Sequence, residues 1–252
     1  MPNFYETDRA VSEYLHFHYG EDDDLLPWES GPVSALNYPV RCITECLDTA
    51  RVSDRARALD LGCAVGRSSF ELARHCHEVI GIDFSQKFVT AASALVTDGS
   101  ANYSYTVEGS LSNEASATVD PAINRTRVSF EQGDATDLRD HLSGFDVILM
   151  ANLICRLSDP KACLSRLSGL LNPGGQLLIM TPCTWLEEYT PRENWLGGFE
   201  RDGKEVRTLA SLHEALASDF ELDHRTDLPF LMREHERKFQ WTVAEATRWI
   251  RR

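Results

Sequence analysis

The stretch ALDLGCAVGRSSFELA, Ala58 to Ala73, decides the fold. An apolar run reaches Asp60, turns through Gly62 and Gly66, and continues as a helix from about Arg67. Strand, glycine turn and helix form the first unit of an open α/β sheet, where ligands bind beyond the carboxyl ends of the strands. The residues of the turn restrict the ligand. A dinucleotide fingerprint needs G-x-G-x-x-G. Counted from Gly62, this chain offers Gly62, Ala64 and Arg67. A side chain as long as Arg67 does not stand in for the glycine that brings helix and strand together. The lysine and hydroxyl of a P-loop are also missing. Asp60 would repel a phosphate and attract an ammonium.

Outward from this turn, strands and helices alternate. EVIGID, Glu78–Asp83, reads as a second strand, and Ser85 can cap the helix that follows it to about Val96. VSFEQGD (Val128–Asp134), FDVILMAN (Phe145–Asn152) and QLLIMT (Gln176–Thr181) read as three more. Asp159 and Pro160 read as N-cap and first position of another helix, which Asn172-Pro173-Gly174-Gly175 ends. The strands are nearly continuous apolar runs, as expected when helices cover both faces of a parallel sheet. The fold class is α/β, doubly wound, with a mostly parallel seven-stranded sheet. From Phe220, two strand-like stretches flank LPFLMREHE and suggest an antiparallel final pair. Residues 100–127 are rich in Ser, Thr and Asn and alternate like a hairpin around GSLSN, which suggests an inserted, protruding arm. The aromatic-rich residues 1–50, helical over Arg9–Tyr19 and Pro39–Ala50, form an expected lid over a domain of residues 51–252. The acidic run Glu21–Asp24 reads as solvated.

Composition narrows the function classes. The chain has 252 residues, with 25 Lys plus Arg against 39 Asp plus Glu, a net charge of −14. That balance argues against nucleic acid or an anionic membrane as the main partner. The seven cysteines are scattered and form no C-x-x-C pair. With no secretory leader and no bilayer-length apolar run, reduced thiols and a cytoplasmic location are expected. Cys42, Cys46, and His75 and His77 around Cys76 lack a second spaced pair, so no metal is expected.

Three acids define the ligand. Asp83 ends the second strand, where a carboxylate accepts both hydrogens of a ribose diol. Asp134 and the Ala135 amide end the third, in place to meet an adenine edge. Asp60 offers a partner for a positive charge. Ribose, adenine and a positive charge without phosphate describe S-adenosylmethionine. LDLGCAVGRSS, VIGIDFS, GDATDL, FDVILMANLICRL and LLNPGGQLLIM, in this order, resemble the motifs of class I S-adenosylmethionine-dependent methyltransferases, a Rossmann-like family. Ala64 stands where that family often has a third glycine. The expected cofactor set is Asp60, Gly62, Cys63, Ala64, Gly66, Asp83, Phe84, Asp134, Ala135 and Asn152, with Arg41 or Arg67 for the methionine carboxylate.

The chain also resembles, over nearly its whole length, the methyltransferase module of ovothiol biosynthesis. NFYETDRAVSEYLHFHYG, ANLICRLSDP, TPCTWLEEYTPRENWLGG and REHERKFQWTVAEATRW carry that likeness. In that family the module commonly follows an iron-dependent sulfoxide synthase; this chain resembles a stand-alone version, with the synthase as a pathway partner. The resemblance implies methylation of 5-thiohistidine (4-mercaptohistidine) on the ring nitrogen nearer the side chain. A neutral imidazole already has a lone pair, so the enzyme must hold a tautomer and keep the thiolate, the better nucleophile, away from the methyl group. Candidate residues are Arg156, Arg237 and Lys238 for the carboxylate, Glu187 or Glu188 for the ammonium, and Tyr14, Tyr38, Trp185 and Trp195 for aromatic walls. His18 or Tyr19 is placed to hydrogen-bond the ring, and Tyr14, His18 and Asn152 are the candidate catalytic residues. A methyltransferase for another small amine or carboxylate, and a silent cofactor-binding subunit of a synthase, remain open at this point.

Overall fold

The computed structural model describes residues 4–252, so the first three residues of the expected lid lie outside the described residues. Three helices come first: α1 (Asp8–Tyr19), α2 (Asp22–Leu25) and α3 (Tyr38–Thr44). The alternating part then runs β1 (Arg57–Leu61), α4 (Arg67–Leu72), β2 (Glu78–Asp83) and α5 (Gln86–Asp98). A hairpin of β3 (Ser100–Glu108) and β4 (Leu111–Thr118) precedes β5 (Val128–Gln132), β6 (Phe145–Ala151), α6 (Pro160–Leu170) and β7 (Leu171–Thr181). A small hairpin, β8 (Phe199–Arg201) and β9 (Lys204–Val206), leads to α7 (Thr208–Leu216) and the long pair β10 (Phe220–His235) and β11 (Lys238–Arg251).

The main sheet has seven strands in the order β10-β11-β7-β6-β1-β2-β5. β5, β2, β1, β6 and β7 are parallel; β11 is antiparallel to β7 and to β10. The order reverses around β1, so the ends of β1 and β6 border a crevice where a ligand can enter. Side chains alternate across β1: Ala58 joins the core beneath α1, α3 and α4, while Leu59 and Leu61 join the core beneath α6 and α7. Leu15, Phe17 and Tyr19 of α1 belong to the same core as Val79, Leu178 and Met180 of the sheet. Among the described residues no helix is long and apolar enough to cross a membrane.

The caps expected from sequence are present. Ser85 accepts from the Phe88 amide, and Asp159 accepts from the amides of Lys161 and Ala162 ahead of Pro160. Several boundaries differ. Asn172–Gly175 does not separate α6 from its strand; β7 begins at Leu171 and passes through these residues with a register shift against β6. Asn172 donates to Asp146 at 2.9 Å, which holds the irregular start of the strand in place. α3 ends at Thr44, not Ala50, because Asp48 instead caps a short turn at Thr49–Arg51. LPFLMREHE is not the connection between the last strands. All of it but Glu236 lies in β10, and the turn falls at Glu236-Arg237. The arm does form a hairpin, but it folds back on α1: the Tyr105 ring stacks on His16 at 4.2 Å, and the Tyr103 hydroxyl lies 3.2 Å from His16 Nδ1. Of the acidic run, Glu21 to Asp23 are exposed, while Asp24 accepts from the Tyr105 hydroxyl at 2.9 Å.

Candidate active site

The turn after β1 is held by its own backbone. The Gly62 and Cys63 amides both donate to the Ile82 carbonyl, and the Gly66 amide donates to that of Cys63. Gly62, Ala64 and Gly66 all have positive φ, at 75°, 47° and 85°. For Gly66 the requirement is double. An added Cβ would stand 2.4 Å from the Phe130 ring, besides the left-handed backbone. The N-terminal segment secures the turn from outside: the Tyr19 hydroxyl donates to the Val65 carbonyl at 3.0 Å and the Ser68 hydroxyl to that of Pro39 at 2.9 Å.

Above this turn opens a cavity of about 860 Å³. Of the sequence-derived cofactor set, Asp60, Gly62, Cys63, Ala64, Asp83, Phe84, Asp134, Ala135 and Asn152 line it, and Gly66 stands behind them in the turn. Asp83 accepts from the Ala64 amide at 2.8 Å and the Ser85 amide at 2.9 Å, so its carboxylate is fixed at the rim with lone pairs to spare. Burial nonetheless raises its pKa. Asp134 is likewise oriented, by the Thr136 amide and hydroxyl. Phe84 stays 61% exposed, a large apolar face turned to the cavity. Asp60 is 1% exposed, and Ser69 donates to it at 2.6 Å. Burial pushes its carboxyl up to about 7, and among the described residues it forms no ion pair. A buried acid without a cation, a glycine turn with no room for Cβ atoms, a fixed carboxylate at the rim and an uncovered aromatic face fit S-adenosylmethionine, which supplies the acid with an ammonium.

Much of the remaining lining is aromatic. Tyr14, Phe17, His18 and Tyr38 belong to it, with Arg156 and Glu188. Tyr38 donates its hydroxyl to Asn152 Oδ1 at 2.8 Å; Asn152 itself has φ 55° and is held by a backbone bond to Met180. His18 is kept neutral, its pKa lowered to about 3 by burial and by the nearby Arg67. Burial and the neighbouring Tyr5 raise Tyr14 well above its ordinary value.

Other expected residues lie elsewhere. Arg41 is occupied by Glu45 and the Pro229 carbonyl, and the Arg67 guanidinium lies over the Tyr19 ring at 5.3 Å. Tyr19 is spent on Val65, Trp185 on the Thr208 hydroxyl and Trp195 on the Thr190 carbonyl. Arg237 covers the Trp28 ring and Lys238 pairs with Glu234, both near the turn between β10 and β11. Glu187 is exposed and outside the cavity lining. Conversely, Tyr5, Phe88, Leu153, Tyr189 and Met232 line the cavity without having been singled out. Tyr5 and Tyr189 fall inside the aromatic segments 1–50 and 182–195. The signal was present in the segments but not in the individual residues.

The strand order, the glycine turn after β1 and the acids at the ends of β1, β2 and β5 together define an S-adenosylmethionine-dependent methyltransferase of class I. The family model described as "Methyltransferase domain" matches residues 38–224, and the chain belongs to that family. It is 25% identical over 189 residues to phosphoethanolamine N-methyltransferase 1 of Triticum aestivum, covering 73% of this chain and 32% of that protein. It is 28% identical over 177 residues to the ubiquinone biosynthesis O-methyltransferase of Xanthomonas oryzae pv. oryzae, covering 66% and 62%. The chain thus spans about a third of the first relative's length and under two thirds of the second's. The N-methyltransferase NodS of Bradyrhizobium japonicum WM9, solved with S-adenosyl-L-homocysteine, shares the fold, with a TM-score of 0.52 at 15% identity over 96% of this chain and 98% of that one. The methyl donor of this enzyme is S-adenosylmethionine.

Proposed function

We propose that the enzyme methylates 5-thiohistidine (4-mercaptohistidine) on the ring nitrogen nearer the side chain, giving ovothiol A. The observation that carries this reading is the composition of the acceptor half of the cavity: flat walls from Tyr14 and Tyr38, a neutral His18, one cation, Arg156, and one acid, Glu188. A small heteroaromatic ring bearing an anionic thiolate and an ammonium matches that set, and the motif resemblance over nearly the whole chain points to the same substrate. A phosphomonoester such as phosphoethanolamine suits it less. Its dianion calls for clustered Arg or Lys, and among the described lining residues Arg156 is the single Arg or Lys.

In this reading Asp83 takes the ribose hydroxyls, Phe84 packs on adenine, the Asp134–Ala135 segment meets its edge, and Asp60 pairs with the amino-acid end of the cofactor. Bound S-adenosylmethionine supplies an electrophilic methyl carbon. The remaining task falls to positioning. Asn152, fixed by Tyr38, lines the same cavity as the cofactor acids. His18 has too low a pKa to act as a base at neutral pH, so its part is a hydrogen bond that selects the substrate tautomer. The substrate would come from a sulfoxide synthase, the pathway partner that the resemblance implies, in the cytoplasm.

Initial rates for 5-thiohistidine and histidine at equal concentration, with the methyl group located by NMR, test the proposal. Rejection of an analogue lacking a group that the site hydrogen-bonds can reach ~10⁴-fold. Comparable rates would refute the thiohistidine assignment and leave the methyltransferase assignment standing.

A further inference from the structure

The wall of the cavity formed by Tyr5, Tyr14, Tyr189 and Arg156 is one connected polar group. The Tyr5 ring lies 6.1 Å from that of Tyr14 and 6.0 Å from that of Tyr189, and Arg156 stands over the Tyr189 ring at 4.7 Å. The Tyr5 hydroxyl hydrogen-bonds with Tyr14, Tyr189 and the Arg156 guanidinium. All four residues line the cavity.

The directions of these bonds follow from what each group can do. A guanidinium only donates, so Tyr5 accepts from Arg156. Three phenols own three hydroxyl hydrogens. The contacts of Tyr5 with Tyr14 and with Tyr189 consume two of them. One phenolic hydrogen, on Tyr14 or on Tyr189, is left for a ligand, and the chain leading to it is polarised by a fixed positive charge. Burial raises Tyr14 well above its ordinary value and Tyr189 to about 12, so both keep their protons through the neutral range.

The shape of the donor set separates two kinds of anion. Arg156 Nη1 is already committed to the carbonyls of Cys155 at 3.0 Å and Thr184 at 2.8 Å, which removes the end-on Nη1–Nη2 edge for a carboxylate and leaves the Nε–Nη2 side of the guanidinium. What remains is that side of the guanidinium, from which Tyr5 accepts, and one phenolic donor, all set against aromatic rings. A large, polarisable anion suits donors backed by aromatic rings. We infer that Tyr5, Tyr14, Tyr189 and Arg156 form a subsite for a ring-bound thiolate on the acceptor, and that holding sulfur there decides which ring atom faces the methyl donor. This subsite deepens the thiohistidine reading and rests on it.

Calorimetry on the S-adenosylhomocysteine-loaded enzyme tests it with two pairs of probes: 5-thiohistidine against histidine, and 4-mercaptoimidazole against 4-methylimidazole. A hydrogen bond to a charged group predicts that each thiol binds about 10- to 100-fold tighter than its sulfur-free twin. Tyr5→Phe, which keeps the ring, and Arg156→Met should each cut that ratio about tenfold while S-adenosylhomocysteine still binds. A second readout is the ratio of N-methyl to S-methyl product by NMR, which should fall in Tyr5→Phe. An unchanged thiol preference and an unchanged product ratio in both variants would overturn the subsite, as would a wild type indifferent to sulfur in the imidazole pair. Should thiohistidine go unmethylated while the mercaptoimidazole preference holds and depends on Tyr5, the thiohistidine reading fails and the subsite stands.

Discussion

Mild acid should weaken cofactor binding at Asp60, the acid paired with the ammonium. Its carboxyl is buried beneath the glycine turn, and burial, opposed by the Ser69 hydroxyl and aided by Asp83, raises it from 3.8 to about 7. The other groups that feel its charge, Tyr19, Cys42 and Cys63, hold their protons well above that range because they too are buried. An acid whose folded pKa exceeds its unfolded one binds more protons when folded. The cofactor-free protein is therefore most stable with Asp60 protonated and loses stability as pH rises from about 4 to about 7. Three units correspond to about 4 kcal/mol. An ammonium placed against Asp60 reverses the preference, because it stabilises the carboxylate.

Binding below pH 7 must then expel a proton, and affinity must rise with pH. For a group titrating near 7, the fraction ready to bind increases about 16-fold between about pH 5.5 and 7.0. Above about 8 the ligand's own α-amino group loses its charge and affinity declines again. Titration calorimetry with S-adenosylhomocysteine, in two buffers of different ionisation heat, should show the rise and nearly one proton released per site at pH 6. His18, lowered to about 3, and His16, lowered to about 4, titrate below this window. Asp60→Asn should abolish the slope between pH 5.5 and 7.0 and raise the Tm of the cofactor-free protein at pH 8. A flat wild-type profile, or the same slope in Asp60→Asn, refutes the pairing of Asp60 with the ammonium.

Other substitutions test the rest of the site. Asp83→Ala should weaken S-adenosylhomocysteine by about 1.5–3 kcal/mol, a charged acceptor lost from buried hydroxyls, and unchanged calorimetric affinity would remove Asp83 from the ribose. Gly66→Ala forces a side chain against Phe130 at a positive φ and should cost about 1–3 kcal/mol, a Tm loss of several degrees. Phe130→Leu in the same chain should recover part of it, and a Gly66→Ala protein with wild-type Tm would show that the ring moves freely. Deleting residues 1–20 removes the buried Leu15, Phe17 and Tyr19 and should unfold the domain. Deleting only residues 1–7 spares that core and should keep cofactor binding while lowering turnover, so normal turnover in the shorter deletion would exclude a lid role for this segment.

The cofactor half of the site was legible because it is local. Asp60 and Asp83 stand in the last positions of β1 and β2, Asp134 follows the end of β5, and a parallel sheet carries strand ends to one edge whatever the intervening loops do. The same regularity made the caps at Ser85 and Asp159 readable. What failed depends on partners far away in sequence. The strand β7 extends back through Asn172–Gly175 because Asp146 holds Asn172. The segment LPFLMREHE reads as an interruption, yet Leu231 is buried against Leu25, Leu26 and Leu36. Arg41, Trp185 and Trp195 were reasonable by residue type, and each is consumed by a neighbour that no local pattern reveals.

The mismatch at Arg67 has a physical resolution. A dinucleotide loop places its last glycine where helix meets strand, and Arg67 occupies that place here. The close approach has moved to Gly81 of β2, where an added Cβ would stand 2.5 Å from the Phe130 ring. Phe130 thus fills the space between Gly66 and Gly81 and meets Phe70 of α4 edge-on at 5.6 Å. With packing handled by that ring, the first turn of α4 is free to carry a long cation. Arg67 uses the freedom to cover Tyr19, whose hydroxyl holds the loop, and its charge helps keep His18 neutral on the acceptor side. A position that reads in sequence as a broken motif therefore couples the glycine turn to the aromatic half of the cavity. Loss of the charge in Arg67→Met should raise the His18 pKa from about 3, which NMR titration of the imidazole would register, and an unmoved pKa would show that burial alone keeps His18 neutral.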